Sequence, residues 1–149
     1  MKGILSGEGI LQIGLVVEDA EKSAKLFADL TGEGPPSVIV TEGSEKTDVR
    51  YRGEPTEGRA KLAFVQSGKI MVEFIEPIGG PSTWKEFLDS NGPGIHHVGM
   101  NIQGMKTITK ALEGMGIKEV QKGEFSGGRY SYLDGTSSIG MILELLEND

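Results

Sequence analysis

The nine residues GIHHVGMNI at 94–102 open the second half of a 149-residue chain and restart a pattern already present in the first half. The alternation of side chains in this stretch predicts a strand, and MKTITKALEGMG (105–116) follows it with apolar residues at helical spacing. The first half begins in the same way, with ILQIGLVV (10–17) as a strand and DAEKSAKLFADLTG (19–32) as a helix. The order of strand then helix therefore occurs twice, which indicates an internal duplication.

Three further strands follow the helix in each half of the chain. In the first half they are SVIV (37–40), AKLAFVQ (60–66) and KIMVEFIEP (69–77), and the SG between the last two predicts a tight hairpin. In the second half they are IKEVQ (117–121), RYSYLD (129–134) and IGMILELLE (139–147). Both halves thus have the order βαβββ, and PSTWKEFLDSNG (81–92) predicts a short helix that joins them.

The duplication can be followed residue by residue. An offset of 85 places Gln12 on His97, and an offset of 71 places Glu73 on Glu144. The offset falls by 14, so the first half carries about that many extra residues, and the polar stretch 41–60 is the obvious insertion, as a loop or a hairpin.

The two long helices should each bury one apolar face. Asp19 is the predicted N-cap of the first helix, and Gly32 is its predicted end. The helical spacing predicts that the buried faces are formed by Ala20, Ala24, Phe27 and Leu30 in the first helix and by Ile108, Ala111, Leu112 and Met115 in the second. In the joining helix, Trp84 and Phe87 are expected to be core residues rather than ligand-stacking groups.

The composition excludes several classes of function. The formal net charge is −7 and the estimated pI is 4.9, so a nucleic acid backbone would be repelled. The chain has no cysteine, which excludes disulfides, thiolate nucleophiles and thiolate metal sites. No apolar run approaches the ~20 residues that span a bilayer, and MKGILSGEGILQIGLVV (1–17) lacks the apolar core of a signal peptide. We expect a cytoplasmic protein that does not bind membranes.

Four stretches, in this order, resemble the vicinal oxygen chelate superfamily, which includes the glyoxalases and bleomycin-resistance proteins. They are LQIGLVVEDAEKSAKLF (11–27), KIMVEFIEPIG (69–79), GPGIHHVGMNI (92–102) and GMILELLE (140–147). Within the superfamily the chain looks most like methylmalonyl-CoA epimerases and glyoxalase-like proteins. The resemblance implies an α+β fold in which two βαβββ modules form a curled mixed sheet around a metal and substrate cleft. Module 1 is expected at about 8–79 and module 2 at about 93–148, within a single domain 1–149.

The side chains of a strand alternate between its two faces, and this alternation separates the two histidines. His97 should share the cleft face with Gly99 and Asn101, whereas His96 should face the helices together with Val98, Met100 and Ile102. In the first strand Gln12, Gly14 and Val16 should face the cleft. Gln12 and His97 thus occupy equivalent positions, and for His96 we expect packing or a supporting contact.

Glu73 and Glu144 lie inside apolar strands, where a lone carboxylate is costly to bury. Because they are repeat-equivalent, a shared divalent cation is the simplest partner, and pairing with Arg50, Arg52 or Lys61 is the alternative. In metal-binding members of the superfamily each half contributes one ligand from its first strand and one from its last. Carried over to this chain, the resemblance implies the metal ligands Gln12, Glu73, His97 and Glu144. Glu76 and Glu147, which end the same strands, are expected to be solvated.

Gln12 departs from the pattern of the epimerases, in which this ligand is most often His. An amide oxygen is a weaker, neutral donor, so the departure leaves metal occupancy open. One nitrogen and three oxygen donors favour Mn²⁺, Co²⁺, Ni²⁺ or Mg²⁺ over Zn²⁺.

The function that the resemblance implies is that of a metal-dependent isomerase or lyase. Such an enzyme abstracts a proton alpha to a carbonyl or thioester, as methylmalonyl-CoA epimerases and lactoylglutathione lyases do. Glu144 is the predicted catalytic base, whereas a second base among Asp48, Glu54 and Glu57 could not be placed. Arg50 and Arg52 are predicted to lie on an extended segment and to bind a carboxylate or CoA phosphate of the substrate. The substrate would be an acyl-CoA, a 2-oxo compound or a thioester adduct, and the protein a homodimer.

Two other functions stay open at this point. Loss of a histidine ligand at Gln12 is also what a metal-free protein that binds small molecules, such as a resistance protein, would show. A ring-cleaving dioxygenase ranks last, because it normally needs two histidines and a carboxylate for Fe²⁺ and only His97 is suitably placed.

Overall fold

A computed structural model describes residues 3–149. The strands are β1 (Gln12–Val16), β2 (Ser37–Val40), β3 (Arg50–Tyr51), β4 (Glu54–Pro55), β5 (Gly58–Ser67), β6 (Ile70–Gly79), β7 (Gly94–Asn101), β8 (Lys118–Phe125), β9 (Gly128–Gly135) and β10 (Met141–Asn148). The helices are α1 (Ala20–Thr31), α2 (Ser44–Thr47), α3 (Thr83–Asn91) and α4 (Met105–Gly114). Each strand and helix predicted from the sequence is present. Module 1 has the order β1-α1-β2-β5-β6 and module 2 the order β7-α4-β8-β9-β10.

One curled mixed sheet contains all ten strands, in the order β2-β5-β6-β1-β7-β10-β9-β8-β3-β4. The first strands of the two modules, β1 and β7, pair antiparallel at its centre. Each of them is also paired in parallel with the last strand of its own module, β6 or β10. The predicted α+β fold of two βαβββ modules is confirmed, and the module boundary falls between the two central strands.

The strand register confirms the two offsets that were read from the sequence. In module 1 Gln12 lies opposite Met71, and in module 2 His97 lies opposite Ile142. Those two pairs are related by 85 and 71 residues. The central pair obeys the same symmetry, because Ile13 lies opposite Val98 with matching partners on either side. The four central strands therefore have a local two-fold relationship.

The long helices pack on the convex face of the sheet, but each buried face differs in part from its prediction. Asp19 caps α1 by accepting a hydrogen bond from the backbone N–H of Lys22, and Gly32 ends the helix with φ 75°. Ala20, Ala24 and Ala28 form the buried face of α1, whereas Leu30 is 76% exposed. In α4 the buried residues are Met105, Thr109 and Leu112, whereas Met115 is 67% exposed. The predictions that Leu30 and Met115 are buried were wrong, because Leu30 lies in the last turn of α1 and Met115 caps the end of α4, where both side chains face solvent.

The carboxylates of Glu76 and Glu147 bind backbone N–H groups. The expectation that both are solvated was therefore wrong. Glu76 accepts a hydrogen bond from the backbone N–H of Ala20 at 3.0 Å, and Glu147 accepts one from the N–H of Met105 at 3.1 Å. Ala20 and Met105 are the first residues of α1 and α4, and they are 85 positions apart. In each module the end of the last strand thus caps the helix that follows the first strand, where a carboxylate is favoured.

The insertion in module 1 is more structured than a loop. It contains α2 and the hairpin β3–β4, whose turn is formed by Arg52 and Gly53 with φ of 53° and 83°. Strand β3 pairs with β8, so a segment of module 1 extends the sheet of module 2. Within residues 3–149, no helix is long and apolar enough to cross a membrane.

Candidate active site

The four predicted ligands come together on the concave face of the sheet. The Nε2 atom of His97 is 3.6 Å from Oε1 of Glu73 and 3.4 Å from Oε1 of Glu144. The Oε1 atoms of Gln12 and Glu144 each lie 3.0 Å from the point where a Cβ atom on Gly99 would stand. Two ligands on one divalent cation are about 3.0–3.5 Å apart, from bond lengths near 2.1 Å and angles of about 90–110°. The two distances from His97 to the carboxylates are close to this range and compatible with a shared ion.

These four atoms share a further property, which is that none has a hydrogen-bond partner. Six side-chain polar atoms in the described part of the chain are buried without a partner, and four of them are Oε1 of Gln12, Oε1 of Glu73, Nε2 of His97 and Oε1 of Glu144. A buried polar atom without a partner costs about 1–3 kcal/mol. Such a cost at four converging atoms is relieved if they bind one cation together, so their chemistry fits a divalent metal.

Two glycines make the room for the ligands of the first strands. Gly14 lies opposite His97 in the β1–β7 pair, and Gly99 lies opposite Gln12. A Cβ atom on Gly14 would overlap the imidazole of His97, and one on Gly99 would stand 3.2 Å from Cβ of Gln12. Gly14 and Gly99 are themselves 85 residues apart, so a glycine at this position is part of the internal repeat.

His96 does not share the helix-facing side with Val98, as the alternation had predicted. The register shifts between β1 and β7, so that Gly14 lies opposite His97 but Leu15 lies opposite Ile95. This β-bulge leaves His96 unpaired and redirects its side chain. Its ring packs 5.2 Å from that of His97, and the two Nδ1 atoms are 2.9 Å apart. The expectation of packing or a supporting contact is confirmed. The contact depends on a β-bulge that no pattern in the sequence indicates.

Burial and mutual repulsion control the charges of the centre. Burial, together with the charge of Glu144, raises the pKa of Glu73 to about 8, although His97 opposes the shift. Burial lowers the pKa of His97, but Glu144 and Glu73 outweigh this effect and the net shift is upward. Burial and the neighbouring His97 hold the pKa of His96 well below its ordinary value, so His96 is neutral. Because the rings of His96 and His97 share one hydrogen between their Nδ1 atoms, ligation through Nε2 of His97 requires that His97 donates it.

Among residues 3–149 there is no ready-made group of three or more His, Cys, Asp or Glu side chains in a metal-holding arrangement. The fourth donor of this centre is the amide of Gln12, which lies outside that set of residue types. The residues fit an ion through their unpartnered atoms, and small movements of their side chains would accompany its binding.

A cavity of about 540 Å³ opens above the centre. Gln12, Glu73 and Glu144 form part of its wall, and the aromatic rings of Trp84, Tyr130 and Tyr132 form another part. Most of the remaining wall is apolar and comprises Ile39, Val40, Val49, Leu62, Phe64, Phe125 and Leu146. Trp84 is 5% exposed and donates a hydrogen bond from Nε1 to the hydroxyl of Tyr132 at 3.0 Å. Trp84 is a core residue as predicted, and it also lines the cavity.

The predicted basic residues have partners elsewhere. Arg50 pairs with Asp48 at 3.3 Å, Arg52 pairs with Glu86 at 2.8 Å, and Lys61 pairs with Glu21. The alternative in which these cations neutralise the two buried carboxylates was therefore wrong. Arg52 also lies in a turn rather than on an extended segment, because its φ is 53°. A role of Arg50 and Arg52 in substrate binding stays a prediction.

The structure identifies cavity residues that the sequence reasoning missed. Glu42, at the end of β2, lines the cavity, whereas the wall does not include Asp48, Glu54 or Glu57. The carboxylate of Glu42 is 3.4 Å from the ammonium group of Lys46. Tyr130 and Tyr132 were also missed, although their alternation in RYSYLD places both on one face of β9. No signal in the sequence separates Glu42 from the other acidic residues of the insertion.

Comparisons with known proteins agree with this architecture. A family model described as the Glyoxalase/Bleomycin resistance protein/Dioxygenase superfamily matches residues 11–132. A methylmalonyl-CoA epimerase from Mycobacterium tuberculosis is 18% identical, with a TM-score of 0.65 over 100% of this chain and 93% of that one. A variant of the Streptomyces coelicolor methylmalonyl-CoA epimerase, in complex with 2-nitronate-propionyl-CoA, is 16% identical, with a TM-score of 0.65 over 93% of each chain.

Among curated proteins, the uncharacterized protein YqjC of Bacillus subtilis (strain 168) is 24% identical over 94 residues, which are 61% of this chain and 67% of that protein. At these identities the solved structures show a shared fold and leave the reaction to be argued from the site.

Proposed function

The chain belongs to the glyoxalase/bleomycin resistance/dioxygenase superfamily, and on that premise we propose that it is a metal-dependent isomerase or lyase. The reaction would begin with removal of a proton from the carbon next to a carbonyl or thioester group. The observation that carries the proposal is the convergence of four buried donor atoms without hydrogen-bond partners, from Gln12, Glu73, His97 and Glu144.

These four side chains would hold a divalent ion, with Mn²⁺, Co²⁺, Ni²⁺ or Mg²⁺ favoured over Zn²⁺ by three oxygen donors and one nitrogen donor. When bound, such an ion supplies a Lewis acid that polarises a carbonyl oxygen and acidifies the neighbouring C–H bond. The chain's own contribution is to orient the substrate against the aromatic wall, to exclude water, and to move the proton.

Glu144 is the proposed base on one side of the reacting carbon. It lies in the wall of the cavity and is 5% exposed, so its carboxylate reaches the substrate in a site with little water. Tyr132 packs beside His97 with 4.8 Å between ring centroids and lines the cavity. Burial raises the pKa of Tyr132 well above its ordinary value, with smaller contributions from Glu144 and Glu73. Tyr132 therefore stays protonated and does not itself act as the base.

Glu42 is the proposed second base. An enzyme that inverts a carbon needs an acid or base on each side of it, and Glu42 stands in the cavity wall on the segment that precedes α2. The ammonium group of Lys46 lies 3.4 Å from its carboxylate. A lyase would need only Glu144, so the two candidate reactions differ in their need for Glu42.

A metal-free protein that binds small molecules is the second candidate function. Two observations favour it, namely the neutral amide of Gln12 in place of a stronger donor and the absence, within residues 3–149, of a ready-made cluster of three His, Cys, Asp or Glu ligands. Such a protein would bind ligands in the same cavity without proton exchange.

We also propose that the protein forms homodimers through β2. This strand lies at one edge of the sheet, and its residues Val38, Ile39 and Val40 are each 40–49% exposed. Sedimentation equilibrium would show a dimer that Val38→Lys disrupts, and a monomeric wild-type protein would contradict this proposal.

Proton exchange tests the enzymatic proposal. Candidate carbonyl compounds and acyl-CoA esters are incubated in D₂O with protein and each divalent metal, and loss of the alpha-proton signal is followed by NMR. Exchange that needs both the metal and Glu144 supports the proposal. Saturable ligand binding without exchange, at full metal occupancy, would favour the binding protein.

A further inference from the structure

We infer that the cavity is built for an uncharged, largely apolar substrate group and excludes anionic groups. The inference rests on the proposed function and narrows the part of the substrate that enters the cavity to a neutral carbonyl compound. It is carried by the distribution of charge around the cavity, which is independent of the family resemblance.

No lysine or arginine among residues 3–149 lines the cavity, whereas four glutamates do. Glu73 and Glu144 stand at its base, and Glu42 and Glu124 stand nearer its rim. Two cations lie close to the wall without forming part of it: the ammonium group of Lys46 is paired with Glu42, and the guanidinium of Arg59 donates hydrogen bonds to the backbone carbonyl of Thr41. Among residues 3–149, no Lys or Arg side chain forms an ion pair with Glu124. Its carboxylate therefore adds negative potential at the entrance of the cavity.

The alternation of the strands explains why cations are missing from the wall. On β5 Leu62 and Phe64 line the cavity, so their neighbour Lys61 points to the convex face and pairs with Glu21. On β9 Tyr130 and Tyr132 line the cavity, so Arg129 points outwards and pairs with Glu147. The alternation of side chains along β5 and β9 thus directs the apolar and aromatic side chains into the cavity and the basic side chains away from it.

Charge balance at the centre leads to the same conclusion. One divalent ion balances the two carboxylates of Glu73 and Glu144, so the loaded centre has no net charge to offer an anion. A carboxylate or phosphate in this cavity would leave water for an apolar wall and meet no counter-charge. A neutral acyloin or related hydroxyketone does not incur this desolvation cost, because both of its oxygens are uncharged. Its alkyl chains are apolar, like most of the cavity wall.

Trp84 gives a direct way to test the inference, since it is the sole tryptophan of the chain and it lines the cavity. Quenching of its fluorescence is measured at low ionic strength, with Mg²⁺, for two probes: the acyloin 5-hydroxyoctan-4-one and its eight-carbon anionic counterpart 2-oxooctanoate. In free solution a 2-oxo acid chelates divalent cations better than an acyloin, so a preference for the acyloin must come from the cavity.

We expect saturable quenching by the acyloin, with binding at least about tenfold tighter than that of 2-oxooctanoate. Glu124→Lys should strengthen binding of 2-oxooctanoate by about tenfold and leave the acyloin nearly unchanged. Glu18→Lys, which makes the same charge change at an exposed turn, is the matched control and should change neither.

Two results would overturn the inference, namely equal or tighter binding of 2-oxooctanoate, and no saturable quenching by the acyloin. Metal content measured on the same samples separates this result from the proposed function. A protein that binds the acyloin but no metal would contradict the enzymatic proposal while supporting the charge selectivity of the cavity.

Discussion

Gly14 lies directly opposite His97 across the two central strands, and a Cβ atom on it would stand 2.5 Å from Nε2 and 2.6 Å from Nδ1 of the imidazole. The position of the candidate metal-binding nitrogen thus depends on the absence of a side chain in the other module. The relationship is repeated between Gly99 and Gln12, where a Cβ atom would meet the amide oxygen at 3.0 Å. A glycine opposite each first-strand donor is therefore part of the site.

Gly14→Ala should displace the His97 ring and weaken Co²⁺ binding by at least about tenfold, the size of effect expected when a ligand loses its support. The measurement is a titration of the metal-free protein with Co²⁺, followed by visible absorption. Gly34→Ala is the matched control, because a Cβ atom there would meet nothing within 4 Å. Unchanged affinity in Gly14→Ala would show that His97 does not bind the metal.

The metal-free protein should become less stable as the pH rises from about 7 to 8, an interval in which His96 is neutral in both the folded and the unfolded state. Burial, reinforced by Glu144, raises the pKa of Glu73 to about 8 in the folded chain, so the folded state holds more protons than the unfolded state in this interval. The upward shift of His97 has the same sign, since its stabilising contribution is lost as the pH rises through its folded pKa. Denaturant unfolding in EDTA at both pH values tests this slope.

Glu73→Gln should flatten the pH dependence and stabilise the metal-free protein at pH 8, by on the order of 2 kcal/mol. The same change should abolish the stabilisation that wild-type protein gains from added metal. Glu33→Gln, at an exposed position, serves as the control. A variant that is less stable than wild type at pH 8 would mean that the Glu73 carboxylate has a favourable partner without metal.

His96→Leu should weaken metal binding by about tenfold while the fold is kept, because it removes the acceptor for the Nδ1 proton of His97. The tautomer of His97 is the decisive readout, since packing alone would not change it. In ¹⁵N NMR spectra of the metal-loaded wild-type protein, Nδ1 of His97 should carry the proton and Nε2 should not. His96→Gln, which retains an acceptor, should recover part of the affinity.

The two proposed bases can be separated by the handedness of the substrate. Glu144→Gln should reduce exchange of the alpha proton from one enantiomer by about 100-fold or more, and Glu42→Gln should do so for the other. Exchange into each enantiomer of a chiral acyloin is followed by NMR. If Glu42→Gln leaves both rates unchanged, the enzyme uses one base and the lyase reaction is favoured.

Much of the fold could be predicted because the duplication is recorded in local patterns. The β-branched strands, the cap at Asp19 and the Gly32 stop each act over a few residues, and the offsets of 85 and 71 residues carried over to the strand register. The equivalence of Gln12 with His97 and of Glu73 with Glu144 also followed from these offsets, because a period of two fixes the face of a strand residue.

The parts that could not be predicted depend on contacts between segments distant in the chain. The bulge that turns His96 towards His97 arises from the register of β1 against β7, and neither strand contains a signal for it. The capping of α1 by Glu76 spans 56 residues. The path of the insertion, which brings Glu42 to the cavity and β3 to β8, likewise depends on tertiary packing.

The most direct test of the account is the metal stoichiometry of the untagged protein, measured by elemental analysis after dialysis against Mn²⁺ or Co²⁺. We expect about one equivalent per chain, lost in both His97→Ala and Glu73→Gln, with the unfolding transition of each variant still cooperative. Absence of stoichiometric metal from the wild-type protein, or its retention in both variants, would contradict the claim that the four unpartnered donors form a metal centre.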